Sequence, residues 1–211
     1  MTARAVGSTL IAMSEEHVGY EVEVKFRVPD LEALALRLSD QGADAGPPIA
    51  QEDVYLAHPM RNFSESDEAL RIRRTGQENR VTYKGPKLGG PTKTREEIEL
   101  TFEPGAEGLR KLTRLLERLG FETVAVIRKL RRPFALRFEG RPVEVVLDQA
   151  TGLGSFAEVE TLVRGPDDLP EAQKAVLGIA AALGLEDIER RSYLRMYMQQ
   201  QAGTENPASG T

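Results

Sequence analysis

Residues 20–27 read Tyr-Glu-Val-Glu-Val-Lys-Phe-Arg, and the reading of this stretch decides the fold. Tyr20, Val22, Val24 and Phe26 alternate strictly with Glu21, Glu23, Lys25 and Arg27. Strand side chains point to opposite faces with period two, so the stretch is read as a strand with one apolar and one ionic face. A lone strand of this kind would ordinarily rest its charges in solvent. The rest of the chain repeats the pattern. Arg71 and Arg73 interleave with Leu70 and Ile72, and Thr82 and Lys84 with Val81 and Tyr83. Glu97 and Glu99 flank Ile98, Lys129 and Arg131 flank Leu130, and Glu158 and Glu160 flank Val159. Glu144 and Asp148 stand among Val143, Val145 and Leu147. If such a sheet closes into a barrel, one face lines its inside. Charges there are costly unless paired, hydrated or bound to a ligand. Acidic pairs on some strands and basic pairs on others then describe a site for metal ions and a polyanion.

Composition narrows the chemistry. The 211 residues are 40% hydrophobic, enough for the core of one domain. With no cysteine, neither disulfides nor thiolate metal sites exist, and His17 and His58 are too few for a histidine-rich centre. A metal must be held by carboxylates, which favours hard cations such as Mg²⁺ or Mn²⁺. The net charge of −5 argues against broad nucleic-acid binding. Met1–Met13 holds only a brief apolar run from Leu10, and no stretch approaches a membrane span, so a cytoplasmic protein with no membrane partner is expected.

Helix signals punctuate the strands. Asp30 opens a helix carrying Leu31, Leu34, Ala35 and Leu38, which stops at Gly42. A second, over 107–119, buries Leu109, Leu112, Leu115, Leu116 and Leu119. Pro170 begins a third along Ala175, Val176, Ile179 and Leu183, and Ser192 caps a last one. Strands are expected over 51–57, 69–75, 80–84, 95–102, 123–138, 142–148 and 156–163, with 58–67 a loop and 85–94 a mobile basic loop. Late-arriving helices beside runs of strands favour an α+β fold. Two nucleotide motifs fail. Gly85 and Gly90 have P-loop spacing, but Pro91-Thr92 replaces the required Lys-Ser/Thr. Gly152 and Gly154 mimic a dinucleotide fingerprint, but a strand follows them where a helix is needed.

The ordered set Glu21-x-Glu23-x-Lys25, Arg71-x-Arg73, Lys84, Glu97-x-Glu99, Lys129-x-Arg131, Asp148 and Glu158-x-Glu160 resembles the signature of the CYTH superfamily, the triphosphate tunnel metalloenzymes. Asp53-Val-Tyr55, His58-Pro59, the run 67–73 and Arg191-Ser192-Tyr193-Leu194 look most like its class IV adenylyl cyclase branch. The resemblance implies a closed eight-stranded antiparallel β-barrel tunnel with flanking helices. One tunnel domain over 18–201 is then expected between disordered tails at 1–17 and 202–211. It implies conversion of ATP to cyclic AMP and pyrophosphate, or hydrolysis of an inorganic or organic triphosphate such as thiamine triphosphate. A non-catalytic nucleotide- or polyphosphate-binding module is the alternative of another class. Intact paired carboxylates argue against it, since anion binding alone needs no metal cage.

The residues take roles accordingly. Lys25, Arg71, Arg73, Lys84, Lys129 and Arg131 would bind phosphates, because cations at period two match charges spaced along a triphosphate. Glu21, Glu23, Glu158 and Glu160 would hold Mg²⁺ or Mn²⁺. Glu23, Lys25, Lys84 and Asp148 form the expected catalytic set, with Asp148 either a metal ligand or an orienter of a basic neighbour. Glu97 and Glu99 are either ligands or partners of inward arginines. Arg191 either closes the tunnel or pairs with Glu189. His58 reads as a turn residue, Tyr193, Met196 and Tyr197 as packing, and Lys87 and Lys93 as a solvated loop. A triphosphate, with no nucleic acid, is the expected partner, and a homodimer is among the assemblies considered.

Overall fold

The computed structural model describes residues 16–204, and the expected tails lie almost wholly outside that range. Nine strands and five helices follow in chain order. β1 (Glu16–Arg27), β3 (Ile49–Ala57), β4 (Ala69–Thr75), β5 (Glu78–Lys84), β6 (Lys93–Phe102), β7 (Glu122–Phe138), β8 (Arg141–Ala150) and β9 (Gly154–Val163) form an antiparallel barrel in the order β7-β3-β4-β5-β6-β1-β9-β8, closed by pairing of β8 with β7. The short β2 (Asp44–Ala45) extends the sheet along β7. Closure rests on the length of β7. Its residues 122–131 pair with β3, while 129–138 pair with β8, so one 17-residue strand seals both ends of the sheet. A closed sheet leaves no edge for foreign pairing.

Period two sorts the side chains. Val22, Val24 and Phe26 of β1 point outward with Val143, Val145 and Val159, beneath α1 (Leu31–Asp40) and α4 (Leu169–Ala182). Leu34 and Leu38 of α1 and Val176 and Ile179 of α4 fill this layer. Each such side chain contributes about 1.5–3 kcal/mol on burial, so a one-residue slip of β1 would forfeit several and press its charges against the helices. Asp30 caps α1 by accepting from the Ala33 amide at 2.9 Å. Gly178 lets α4 lie close on β7, because a Cβ there would fall 2.4 Å from the Phe138 ring. α3 (Gly105–Arg118) covers the other side, setting Leu109 against Ile72, Val54 and Leu56. α5 (Tyr193–Thr204), capped where Ser192 Oγ accepts from the Arg195 amide at 3.1 Å, packs at one end of the barrel. Its Tyr193 and Met196 pack there on Tyr55, Ile127 and Phe156.

Several boundaries differ from the sequence reading. β1 already begins at Glu16 and α5 runs through Thr204, both inside the expected tails. A single-turn helix, α2 (Phe63–Ser66), sits in the expected loop. β6 starts at Lys93, within the expected mobile loop, because Lys93 continues the ladder opposite Glu23. The Gly152–Gly154 stretch is the tight connection between β8 and β9. No helix among the described residues is long and apolar enough to cross a membrane.

Candidate active site

The ionic faces of the eight strands enclose one cavity of about 270 Å³. It is lined by Glu21, Glu23 and Lys25 of β1, Arg71 and Arg73 of β4, Lys84 of β5, and Glu97 and Glu99 of β6. Lys129 and Arg131 of β7 and Glu158 and Glu160 of β9 complete the wall. Every lumen cation and carboxylate singled out from the sequence, Asp148 and Arg191 apart, reaches this space. Arg80, Lys93, Arg95 and Glu144 reach it as well.

Most of these charges neutralise one another across neighbouring strands. Lys25 pairs with Glu158 at 3.1 Å, and Glu158 also takes Arg131. Lys84 bridges Glu21 at 3.1 Å and Glu97. Lys93 meets Glu23 at 3.0 Å, and Arg80 meets Glu99 at 2.8 Å. Arg73 makes a two-pronged bond to Asp53 at 2.6 and 2.7 Å. Two buried guanidiniums are left under-used: Nε of Arg71 and Nε of Arg95 have no hydrogen-bond acceptor. The other contacts of Arg71 are long, 3.4 Å to Thr82 and 4.0 Å to Asp53. Buried donors without a close acceptor are costly, and Arg95 Nε has only Glu97 Oε1 at 3.6 Å.

The acids behave unequally. Burial opposes ionisation of Glu158, but Lys25 and then Arg131 overcome it and hold its carboxyl well below the usual range. Asp53 is held low in the same way by Arg73. Further along the same strand, burial drives Glu160 well above the usual carboxylate value, helped by Glu21, Glu144 and Glu158 against Arg131. Burial raises Glu144 too, and the two carboxyls share a hydrogen bond. Burial and the charge of Glu21 push Glu97 up to about 8. Lys129 is lowered to about 8, by burial and then by Arg131.

Glu144, Glu160 and Glu23 stand directly opposite one another on β8, β9 and β1. Cross-strand neighbours sit roughly 5 Å apart at Cα, so the three carboxyls form one lateral row. Among the described residues, no three His, Asp or Glu side chains are arranged to hold a metal ion as they stand. The donor chemistry nevertheless suits a hard divalent cation. Carboxyls that burial forces to keep protons are the oxygens such a cation would displace those protons from.

Asp148 shares the inward face of β8 with Glu144 and Val146 but is fully buried and does not line the cavity. Its oxygens accept from Lys129 at 2.8 Å, from Arg131 at 2.8 and 2.6 Å and from the Tyr193 hydroxyl at 2.9 Å. Both of its oxygens are thus occupied by donors of the protein. Arg191 pairs with Glu189 at 2.5 Å, beside Arg27, and stays out of the cavity. His58 accepts from the Met60 amide at 3.0 Å within its turn. Lys93 lines the lumen through its place on β6, which the reading of a solvated loop missed. Asp53, Arg95 and Glu144 were also missed, although each occupies the inward parity of its strand.

The lumen opens onto a wider groove of about 790 Å³ formed by His58, Met60, Phe63, Leu70, Val124, Leu194 and Met198. Glu68, Lys87 and Ser192 border both spaces.

Comparison with known proteins agrees with this architecture. The model of the CYTH domain family matches residues 19–193. MJ0240 of Methanocaldococcus jannaschii, a candidate adenylate cyclase, is 34% identical over 178 residues, covering 83% of this chain and 97% of that protein. Adenylate cyclase CyaB of Aeromonas hydrophila is 29% identical, covering 86% of this chain and 91% of its own. Among solved structures, PH1819 from Pyrococcus horikoshii OT3 superposes with a TM-score of 0.75 at 38% identity, covering 85% of this chain and 99% of its own. The chain belongs to the CYTH domain family, and its barrel is the tunnel of that fold.

Proposed function

We propose that the protein is a class IV-type adenylyl cyclase, converting ATP to cyclic AMP and pyrophosphate with a divalent cation, Mg²⁺ or Mn²⁺, in the cytoplasm. The observation that carries this reading is the junction of a narrow ionic lumen with a broader, partly apolar groove. The lumen suits phosphates, and the groove beside it offers room and aromatic surface for a nucleoside. Lys25, Arg71, Arg73, Lys84, Lys129 and Arg131, joined by Arg95, would hold the phosphate chain. Arg71 and Arg95 would gain the acceptors they lack. Glu144, Glu160 and Glu23 would hold the cation, which would neutralise charge on the phosphate oxygens. Glu21 and Glu158 would stay with Lys84 and Lys25 to fix those ammoniums.

In this pose the ribose 3′-oxygen attacks the α-phosphorus with loss of its proton, the bond to the bridging oxygen breaks, and pyrophosphate leaves. The chain's contribution is positioning and charge stabilisation. The second reading, a triphosphatase, draws on the completeness of the cationic lumen without the groove. Product analysis decides between them. Incubation with ATP and Mg²⁺ or Mn²⁺ is expected to yield cyclic AMP and pyrophosphate; orthophosphate without cyclic AMP would replace the cyclase with the hydrolase.

A further inference from the structure

We infer that Tyr193 is a positioning residue that ties the C-terminal helix to the phosphate-gripping cations at the end of the tunnel where α5 packs. The ring of Tyr193 lies under two ammoniums at once: Lys25 Nζ stands 3.7 Å from its centroid and Lys129 Nζ 4.7 Å. Its hydroxyl donates to Asp148 Oδ2 at 2.9 Å, the same oxygen that takes Lys129 and Arg131. Phe156 supports the ring edge-on, with centroids 5.3 Å apart and planes at 80°. The side chain is 5% exposed, so these contacts are made with little water present to compete.

Each contact has a physical role. The aromatic face attracts both ammoniums in addition to their carboxylate partners, Glu158 for Lys25 and Asp148 for Lys129. The hydroxyl completes the coordination of Asp148, which in turn fixes Arg131. Three cations carried by the barrel strands thus depend on one residue carried by α5. Residues 191–193 stay in register through the Ser192 cap and through Lys25 Nζ donating to the Arg191 carbonyl at 3.4 Å. Undocking of α5 would strip Lys25 and Lys129 of their shared aromatic face and leave each to its carboxylate alone, Glu158 or Asp148, so the full set of contacts that positions them exists only with the helix seated.

The inference rests on the phosphate-binding reading of the lumen, and the experiment keeps the two apart. Lysine side-chain NMR reads the contact without substrate, because protons held over an aromatic face shift upfield. Calorimetric binding of inorganic triphosphate with Mg²⁺ reads its consequence. The wild type and Tyr193→Phe are expected to show upfield Lys25 Hε signals, and Tyr193→Met to lose them. Tyr193→Met is expected to bind triphosphate about ten-fold more weakly, the loss of a desolvated cation–π contact. Tyr193→Phe should restore most of that affinity. Met196→Ala, on the same helix but outside the lumen, should lower the melting temperature and leave affinity unchanged. Wild-type affinity in Tyr193→Met, an equal loss in Met196→Ala, or no upfield Lys25 signal in the wild type would overturn the inference. If Tyr193→Met does not fold, the Lys25 signal in the wild type and Tyr193→Phe decides. Failure of the wild type to bind triphosphate would refute the functional reading, and the Lys25 signal would still test the role of Tyr193.

Discussion

Arg73 on β4 faces Asp53 on β3 and grips it with two bonds, Nε to Oδ1 at 2.6 Å and Nη2 to Oδ2 at 2.7 Å. Asp53 is 1% exposed, so Arg73 is both a lumen cation and the partner that keeps a buried carboxylate ionised. Arg73→Ala should therefore weaken triphosphate binding and also destabilise the empty protein, by about 3 kcal/mol, because it strands a buried charge. Lys87→Ala, which loses only a half-exposed pair with Asp67, should cost under about 1 kcal/mol. Denaturant titration and triphosphate calorimetry of both variants test this, and equal effects would contradict it.

The carboxyl row yields a prediction for Glu144. If Glu144, Glu160 and Glu23 share the cation, Glu144→Gln and Glu160→Gln should each depress kcat/KM at least about ten-fold and raise the Mg²⁺ concentration needed for half-maximal rate. Chelation should abolish turnover in the wild type. Normal metal dependence in Glu144→Gln would remove it from the row.

Lys129 sets an alkaline limit. It is lowered to about 8, so its positive charge is lost as pH rises through that value. KM for triphosphate should climb above pH 8 in the wild type. In Lys129→Arg the guanidinium stays charged and the climb should vanish. A pH series of KM for the two proteins checks the difference.

Glu97 should set a stability trend of the opposite kind. Glu97 and Glu21 are a hydrogen-bonded pair beside Lys84, with Glu97 raised from its ordinary 4.5 to about 8. Between those values the native state holds a proton that the unfolded chain has released. Its contribution to stability is thus present at low pH and falls as pH rises through the window. Glu97→Gln should match the wild type at pH 5 and be more thermostable at pH 8.5. Melting curves at the two pH values decide, and a difference independent of pH would refute the coupling.

The alternation in 20–27 and its echoes determined the strands, their inward faces and the ionic lumen, because strand parity is local and needs no knowledge of partners. That is why Glu21, Glu23, Lys25, Arg71, Arg73, Lys129, Arg131, Glu158 and Glu160 were legible, and why Val22, Val24, Ile72 and Val159 could be assigned outward. The same parity covered Asp53 and Glu144, but a single charge without a repeat two residues away carries too weak a signal, and Arg95, with Lys93 and Glu97 at that spacing, was hidden by reading 85–94 as a loop. Only the tertiary structure decided the pairing. That Asp53 neutralises Arg73, that Glu144 stands beside Glu160, and that Lys93 meets Glu23 are matters of register between strands distant in sequence. The role of Tyr193 is the sharpest case. From the sequence it is an apolar position on a terminal helix. Its place under Lys25 and Lys129 exists because α5 returns to pack at the barrel end, and the contact with Lys25 spans more than 160 residues of chain that no local pattern encodes.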